Sequence, residues 1–411
     1  MENKKRSKII KGVWVVLLLG MGFLWGFFAH RNRIFPANLL RSLKPKKGTQ
    51  IQSRSQQLEK LQALPYIKGT YDPDRKASGV VLNEAGETSS GYNLYISKSD
   101  RAAYLIDMEG RILHQWSYPY GNWHHSELLP SGGLLVTIRD RQLLRLDRDS
   151  TVVWSADGRF HHDIWVRTNG DIYAIARVAR SCPAIHSAVM TLDEHIVIFT
   201  EDGERKSEIS LLDILLGSPY ACLLPSVGDR DFGPDMELDI LHANHVEVFD
   251  GRLEDHSPLF REGNILLTIR NINLAVIIDG RSMEILWAWG PTNLYLPHHS
   301  TLLENGHMLI FNNGVERSEV LELDPLTFRV VWRYAPEEGF FTETRGSNQR
   351  LANGNTLITE SDKGYVLEVT PDKRAVWKFA NPDVDEEGIR SAIWRMQRFP
   401  PDALPFLDVI E

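Results

Sequence analysis

One unit recurs along this chain, and it decides what the chain can fold into. Trp123 opens WHHSELLPSGGLLV, and Leu296 opens LPHHSTLLENGHMLIF. Laying His124 on His298 brings Leu128, Leu129 and Gly132 onto Leu302, Leu303 and Gly306. FHHDIWVRTNGDIYAIA, from Phe160, is the same unit displaced by one residue, and RGSNQRLANGNTLITES, from Arg345, is a copy without histidines. LHANHVEVFDG, completed by GNILLTIRN, carries an insertion around residues 255–262, and SAIWRMQRFP, from Ser391, is a sixth, degenerate copy. Self-similarity of this kind fixes an architecture before any single motif does.

A second element lies between these units: two β-rich runs, an Asp-, Gly- or Pro-bearing turn, and a tryptophan. It ends at Trp116, Trp154, Trp287, Trp332 and Trp377. Short apolar runs joined by such turns are hairpins. Each full unit is then four antiparallel strands, and radial repetition of four-stranded sheets makes a β-propeller. The fold predicted is all-β, a six-bladed β-propeller, with each tryptophan packing one blade on the next. From His162 to His242 the interval is 80 residues, about double the shortest gap. Residues 181–239, with a helical ISLLDILLGS from Ile209, are therefore expected to form an insertion over one face, a candidate lid.

Charge narrows the function. The net charge of −8 conceals a split: residues 1–50 hold 11 of the 46 Lys and Arg but only Glu2 among the 54 acids, so the remainder carries −18. Phosphate binding needs clustered cations, so a nucleic-acid partner is excluded. Gly12 to Ala29 reads GVWVVLLLGMGFLWGFFA, eighteen uncharged residues that just span a hydrocarbon core, and no small-x-small cleavage site follows. The expectation is residues 1–11 in the cytoplasm, a transmembrane signal anchor at 12–29, a juxtamembrane linker with a short helix at 30–69, and the propeller at 70–405. Basic residues flank the span on both sides, but long domains cross regardless of such charge. A single-pass inner-membrane protein with its propeller on the periplasmic or extracellular side is predicted. Cys182 and Cys222 are either a disulfide of an oxidising compartment or two buried thiols. Without a CxxC spacing there is no thiolate zinc site.

Histidines occupy the same blade position in four units: His124/His125, His161/His162, His242/His245 and His298/His299. If that position opens the innermost strand, eight of the 14 histidines converge on one axis. Convergent titratable groups in a pocket mark a functional site. Three chemistries fit: imidazoles ligating a transition metal, a covalent histidine nucleophile with acid–base partners, or an anion-binding funnel. Arg270 ends the strand paired with the His242-x-Asn244 segment. A guanidinium there favours an oxyanion over a metal cation.

GYNLYISKSDRAAYLIDMEGRILHQW, HHDIWVRTNGDIY, HANHVEV followed by LLTIRNINLAVIIDG, and LPHHSTLLENGHMLIFNNG resemble, in order, segments of the bacterial arylsulfotransferases that do not use the nucleotide sulfate donor. The resemblance covers roughly residues 70–400. It implies an exported six-bladed propeller without a cofactor, moving a sulfuryl group from an aryl sulfate donor to a phenolic acceptor through a sulfohistidine. Carried over by position, it makes His298 the nucleophile, with His299 its neighbour. His242 and Asn244 match the family's His-x-Asn, Arg270 its strand-end arginine, His161 or His162 a further histidine, and Ser347 a hydroxyl position. His124 joins His299 and Ser347 as expected substrate contacts. Members often have Gln-His-Asp/Thr-Ala around the nucleophile, where this chain has Pro297-His298-His299-Ser300. The other reading is a membrane-tethered, non-catalytic binding propeller, with a protein partner docking on the insertion or the membrane segment.

Overall fold

The computed structural model describes residues 68–227 and 236–409. The apolar segment at 12–29, the basic terminus and the short helix expected near residues 56–64 lie outside the described residues. Among the described residues no helix is long and apolar enough to cross a membrane.

Six antiparallel sheets form the six blades. Their inner strands are Ile393–Phe399, Trp123–Leu128, Arg159–Val166, Ala243–Val248, His299–Leu302 and Ser347–Arg350, which follow one another around a closed ring as blades 1 to 6. The ring is closed by distant parts of the chain. Blade 1 takes its inner strand from the carboxyl end, where Ile393–Phe399 pairs with Tyr92–Ser97. Blade 6 gains the amino-terminal strand Gly79–Asn83 on its outer edge, against Ala375–Ala380. Gly69–Tyr71 adds a third clasp, on Ile389–Ser391.

Position in the blade explains the sequence pattern. Second strands, such as Leu134–Ile138, Ile265–Ile269 and Met308–Asn312, are buried throughout, because neighbouring blades cover both faces. They read as unbroken apolar runs, as doubly covered strands do. Outer strands have one wet face, so Val152–Asp157 and Arg329–Tyr334 alternate between exposed and partly covered positions. The turn glycines Gly132 and Gly306 take φ of 85° and 81°, which disfavours any residue with a Cβ. The tryptophans join blades as expected. Indole N–H groups of Trp116, Trp154, Trp287, Trp332 and Trp377 donate to Gly132, Glu201, Pro325, Pro371 and Met108 oxygens of the next blade, at 2.8–3.0 Å.

The expected insertion at 181–239 needs correction. Met190–Phe199 and Arg205–Ser210 inside it are the third and outer strands of blade 3. That hairpin has no tryptophan, so it escaped the pattern that marks the other five. The helix Leu211–Leu216 that follows is not a lid. Ser210 caps it, accepting from the Asp213 N–H, and Leu211, Leu212 and Leu215 are buried in one core with Ile196 of blade 3 and Val246 and Leu267 of blade 4. It wedges the seam where the repeated outer-strand tryptophan is missing. Cys182 is buried and Cys222 exposed, with no disulfide between them.

Candidate active site

Adjacent residues of a regular strand face opposite ways, so a pair such as His124-His125 cannot both reach the axis without a defect. The inner strands supply one. Register shifts fall between Trp123 and His125, Phe160 and Ile164, Ala243 and His245, and Ile393 and Met396. Bulges re-aim side chains in this way. His162 and His242 take left-handed φ of 54° and 55°, strain of the kind that collects at functional sites. The result is a layered axis. His124, His162, Asn244, His298 and Trp394 line a chamber, together with Arg345. One residue further along, His125, Asp163, His245, His299 and Arg395 fill the next layer.

His298 is held in one tautomer. Its Nδ1 faces two acceptors, the Leu296 carbonyl at 3.0 Å and Asn313 Oδ1 at 2.7 Å. The Asn313 amide cannot turn round, since its Nδ2 donates to the Thr342 and Arg345 carbonyls at 2.7 and 2.5 Å. Nδ1 therefore carries the proton, and Nε2 is left as a lone pair with no hydrogen-bond partner. Burial, then the Arg270 charge, lowers its pKa to about 4, so the ring is neutral near pH 7.

The facing histidines are held from outside the chamber. His242 Nδ1 donates to Asp239, and Arg177 Nη2 lies 2.9 Å from the same nitrogen and 3.3 Å from the Asp239 carboxylate. With Nδ1 protonated, His242 Nε2 accepts from His162 Nε2, 2.9 Å away. His124 Nδ1 accepts the His162 backbone N–H at 2.7 Å, which leaves the His124 proton on an unpartnered Nε2. The chamber thus offers a lone pair on His298 and an N–H on His124. His161 is turned away: its Nε2 meets Glu194 at 2.6 Å. Burial lowers the imidazole and raises the carboxyl, while Arg177, whose Nε lies 3.4 Å from Glu194 Oε1, opposes the rise. Asn244 Nδ2 donates to the Pro297 carbonyl at 3.1 Å, and Arg270, 4% exposed, receives its bend from a backbone bond to the His242 carbonyl at 3.1 Å. Arg139, Arg177 and Arg345 depress His124 after burial does, so the cavity stands in a positive field.

His299 faces the next layer rather than the His298 chamber, with its ring 4.3 Å from that of His245. Asp163 organises that layer, lying 3.0 Å from both His125 Nε2 and Arg395 Nη1 and accepting from the Val246 N–H at 3.2 Å and from His245 Nδ1. Ser347 is buried one residue past the chamber wall, which blade 6 builds from Arg345 and Gly346. Asn313, Asp239, Arg177, Arg345 and Trp394 were not anticipated from sequence. Asn313 follows a second strand, and Asp239 and Arg345 precede inner strands. Arg345 lies over the Trp394 ring at 4.5 Å and pairs with Asp362 at 2.5 Å. Among the described residues no group of three His, Cys, Asp or Glu is placed to hold a metal ion.

A volume of about 40 Å³ makes this chamber small. A water needs roughly 10–15 Å³ of such space, so a group of sulfuryl size fits while an aromatic ring must extend toward the mouth. The fold and site define a six-bladed propeller whose axial chamber combines buried imidazoles with a surrounding field of guanidinium groups. The chain belongs to the arylsulfotransferase (ASST) family, whose model matches residues 80–382. No curated protein matches it. Among solved structures it is similar to a protein of unknown function from Bacteroides caccae, at 14% identity and a TM-score of 0.51, covering 76% of this chain and 99% of that one. It is also similar to a functionally unknown protein from Desulfotomaculum acetoxidans, at 11% identity and TM-score 0.45, covering 76% and 100% of the two chains. Virginiamycin B lyase from Staphylococcus aureus matches at 11% identity and TM-score 0.45, covering 80% and 94%. At such identities the likeness concerns the fold alone.

Proposed function

We propose that this protein is a membrane-anchored arylsulfotransferase that works through a sulfohistidine at His298. The observation that carries the reading is the His298 Nε2 lone pair, bare and buried, on a ring whose tautomer Asn313 fixes. In the first half-reaction the N–S bond forms as the bond from sulfur to the aryl oxygen breaks, and the phenolate leaves with the bond's electrons. Arg270 and the remaining N–H of the Asn244 amide stabilise charge on the sulfuryl oxygens, the neutral His162–His242 pair shapes the wall, and the His124 Nε2–H donates to the departing oxygen. In the second, a phenol gives up its proton to a chamber imidazole, its oxygen attacks sulfur, and the N–S bond returns its electrons to His298. Such transfer needs positioning and charge stabilisation above all.

The test is to react the protein with 4-nitrophenyl sulfate, quench it, and locate one added sulfuryl group by peptide mass spectrometry. The label is expected on His298, with ping-pong kinetics when a second phenol is added. His298→Ala is expected to lose transfer by about 10³-fold or more while keeping its fold. A label on His299, or full activity in His298→Ala, would overturn the assignment; binding of the aryl sulfate with no label and no turnover would favour the binding module.

We also propose that the 12–29 segment anchors the protein in the inner membrane with the propeller outside. The supporting features are the eighteen-residue apolar run and the −18 carried by the rest of the chain. Protease added to intact spheroplasts is expected to degrade the propeller, and protection until lysis would reverse the orientation.

A further inference from the structure

Past the Asp163–Arg395 layer the channel opens again, into a cavity of about 220 Å³. Its walls come from the same inner strands, three residues after the chamber positions: Glu127, Trp165, Glu247, Thr301, Gln349 and Gln397. None takes part in the proposed transfer, and the inference below does not depend on it.

Charge accounting says what this cavity would hold. Three arginines reach it, and each is already matched. Arg395 pairs with Asp163 at 3.0 Å, Arg350 with Glu322 at 2.7 Å, and Arg252 with Asp250 at 2.9 Å. Glu127 and Glu247 have no ion-pair partner among the described residues; Glu247 Oε2 accepts only the Leu302 N–H, at 3.0 Å. Two neutral acceptors accompany them. Gln397 Oε1 is buried without a hydrogen-bond partner. His245, 1% exposed, has committed Nδ1 to Asp163, and its Nε2 is unpartnered as well. Native proteins leave few buried acceptors unfilled, and here they stand around one cavity. Arg350 Nε is a buried donor without a partner at the same cavity, but Glu322 matches its charge, and no cation pairs with the two glutamates, which call for a ligand that brings N–H groups and positive charge. No three acidic or imidazole groups among the described residues are placed to grip a metal ion, so the cation is organic. Trp165, Leu302 and Met396 give it an apolar wall. The volume lies below the roughly 300–1,000 Å³ of ordinary ligand pockets, so the ligand is small.

We propose that this second chamber binds a small organic ammonium ion, its charge between the Glu127 and Glu247 carboxylates and its carbon body against Trp165 and Leu302. An aromatic face beside a desolvated cation adds attraction. Burial pushes both carboxyls up to about 8, so the empty chamber holds them as acids near pH 7. Glu127 also faces Arg395, Asp163 and the Gln397 amide, and Glu247 faces Arg252, Asp250 and Asp163. The incoming ammonium takes over the role of those protons, so binding must release them.

Benzylammonium chloride titrated calorimetrically into the full chain in detergent tests this. Titrations at pH 7 in two buffers of different ionisation enthalpy should show more than one proton released per ligand. Affinity should rise about tenfold or more from pH 6 to pH 7.5, while benzoate, of similar shape and opposite charge, should not bind. The double variant Glu127→Gln/Glu247→Gln resembles the protonated acids, so it should fold and lose about 20-fold or more in affinity. Saturating 4-nitrophenyl sulfate should leave benzylammonium binding in place. Absence of binding at millimolar ligand, binding without proton release, an unchanged affinity in the double variant, or displacement by the aryl sulfate would each overturn the proposal. Were the variant to misfold, proton release by the native chain decides alone. Failure here leaves the label on His298 untouched, and failure of that label leaves this chamber standing.

Discussion

The two chambers of the axial channel lie three residues apart on the same strands, yet they suit ligands of opposite sign. In the His298 chamber burial keeps imidazoles neutral, and Arg270, Arg177 and Arg345 supply positive field. In the Glu127–Glu247 chamber burial keeps carboxyls neutral, and the nearby arginines are taken up by other acids. One backbone frame, repeated six times, therefore fixes where side chains converge but not what they bind. Residue identity at each level of the inner strand decides that, and Asp163 with its four partners separates the two levels.

The comparison is sharpest at Asn313, which controls protonation at the first chamber without touching the second. Asn313→Ala removes the acceptor that holds the proton on Nδ1, and kcat for sulfuryl transfer is expected to fall roughly 10–100-fold, as for a lost orienting group. Asn313→Asp should recover part of that loss at high pH and move the acid limb of the kcat profile. His298 must be neutral to attack, so in the native protein the rate falls only as pH drops toward about 4. A carboxylate on Nδ1 stabilises the imidazolium and shifts that fall upward. An acid limb at the same pH in both proteins would mean that Asn313 merely supports the loops carrying Thr342 and Arg345.

Asn313 also shows what sequence could and could not reveal. The six blades and the convergence of histidines were legible, because a repeat fixes register; that the sixth copy closes the ring by pairing with Tyr92–Ser97 was not, because a repeat does not say which distant strand completes a blade. The pairs His298/His299 and His161/His162 looked equivalent, because alternation cannot say which member a bulge turns toward the chamber. Structure separates them: His298 and His162 line it, His299 lies in the layer beyond, and His161 turns to Glu194. Asp239 sits in a three-residue strand added parallel to Met190–Leu192, outside the blade pattern. Asn313 does stand at a repeated position, just past a second strand, but Arg139, Arg177 and Arg270 occupy it in other blades, so residue type gave no sign of an orienting amide. The hairpin of blade 3 was missed for the converse reason. Its seam is filled by Leu211, Leu212 and Leu215, so the tryptophan used as a marker is not needed there.

The smallest expected effect compares the chambers through stability. For His298 the folded pKa, about 4, lies below the ordinary imidazole value of 6.5, so between those values the unfolded chain binds more protons. Stability from this group grows as pH rises through that window and is lost as pH falls. Glu127 and Glu247 run the other way. Their folded pKa of about 8 exceeds the ordinary glutamate value of 4.5, so the folded chain binds more protons and stability declines as pH climbs between them. Glutamine cannot ionise, so Glu127→Gln/Glu247→Gln removes this decline and leaves the His298 contribution in place. The double variant and the native chain should differ little in Tm near pH 5. By pH 8.5 the variant should be more stable by roughly 1–2 kcal/mol, read as a Tm higher by about 3–6 °C. That figure is well below the full linkage of two such shifts, because water entering the cavity solvates the ionised carboxylates. A difference in Tm that stays constant from pH 5 to pH 8.5 would show that the glutamates ionise as they do in water, and the contrast between the two chambers would then reduce to geometry.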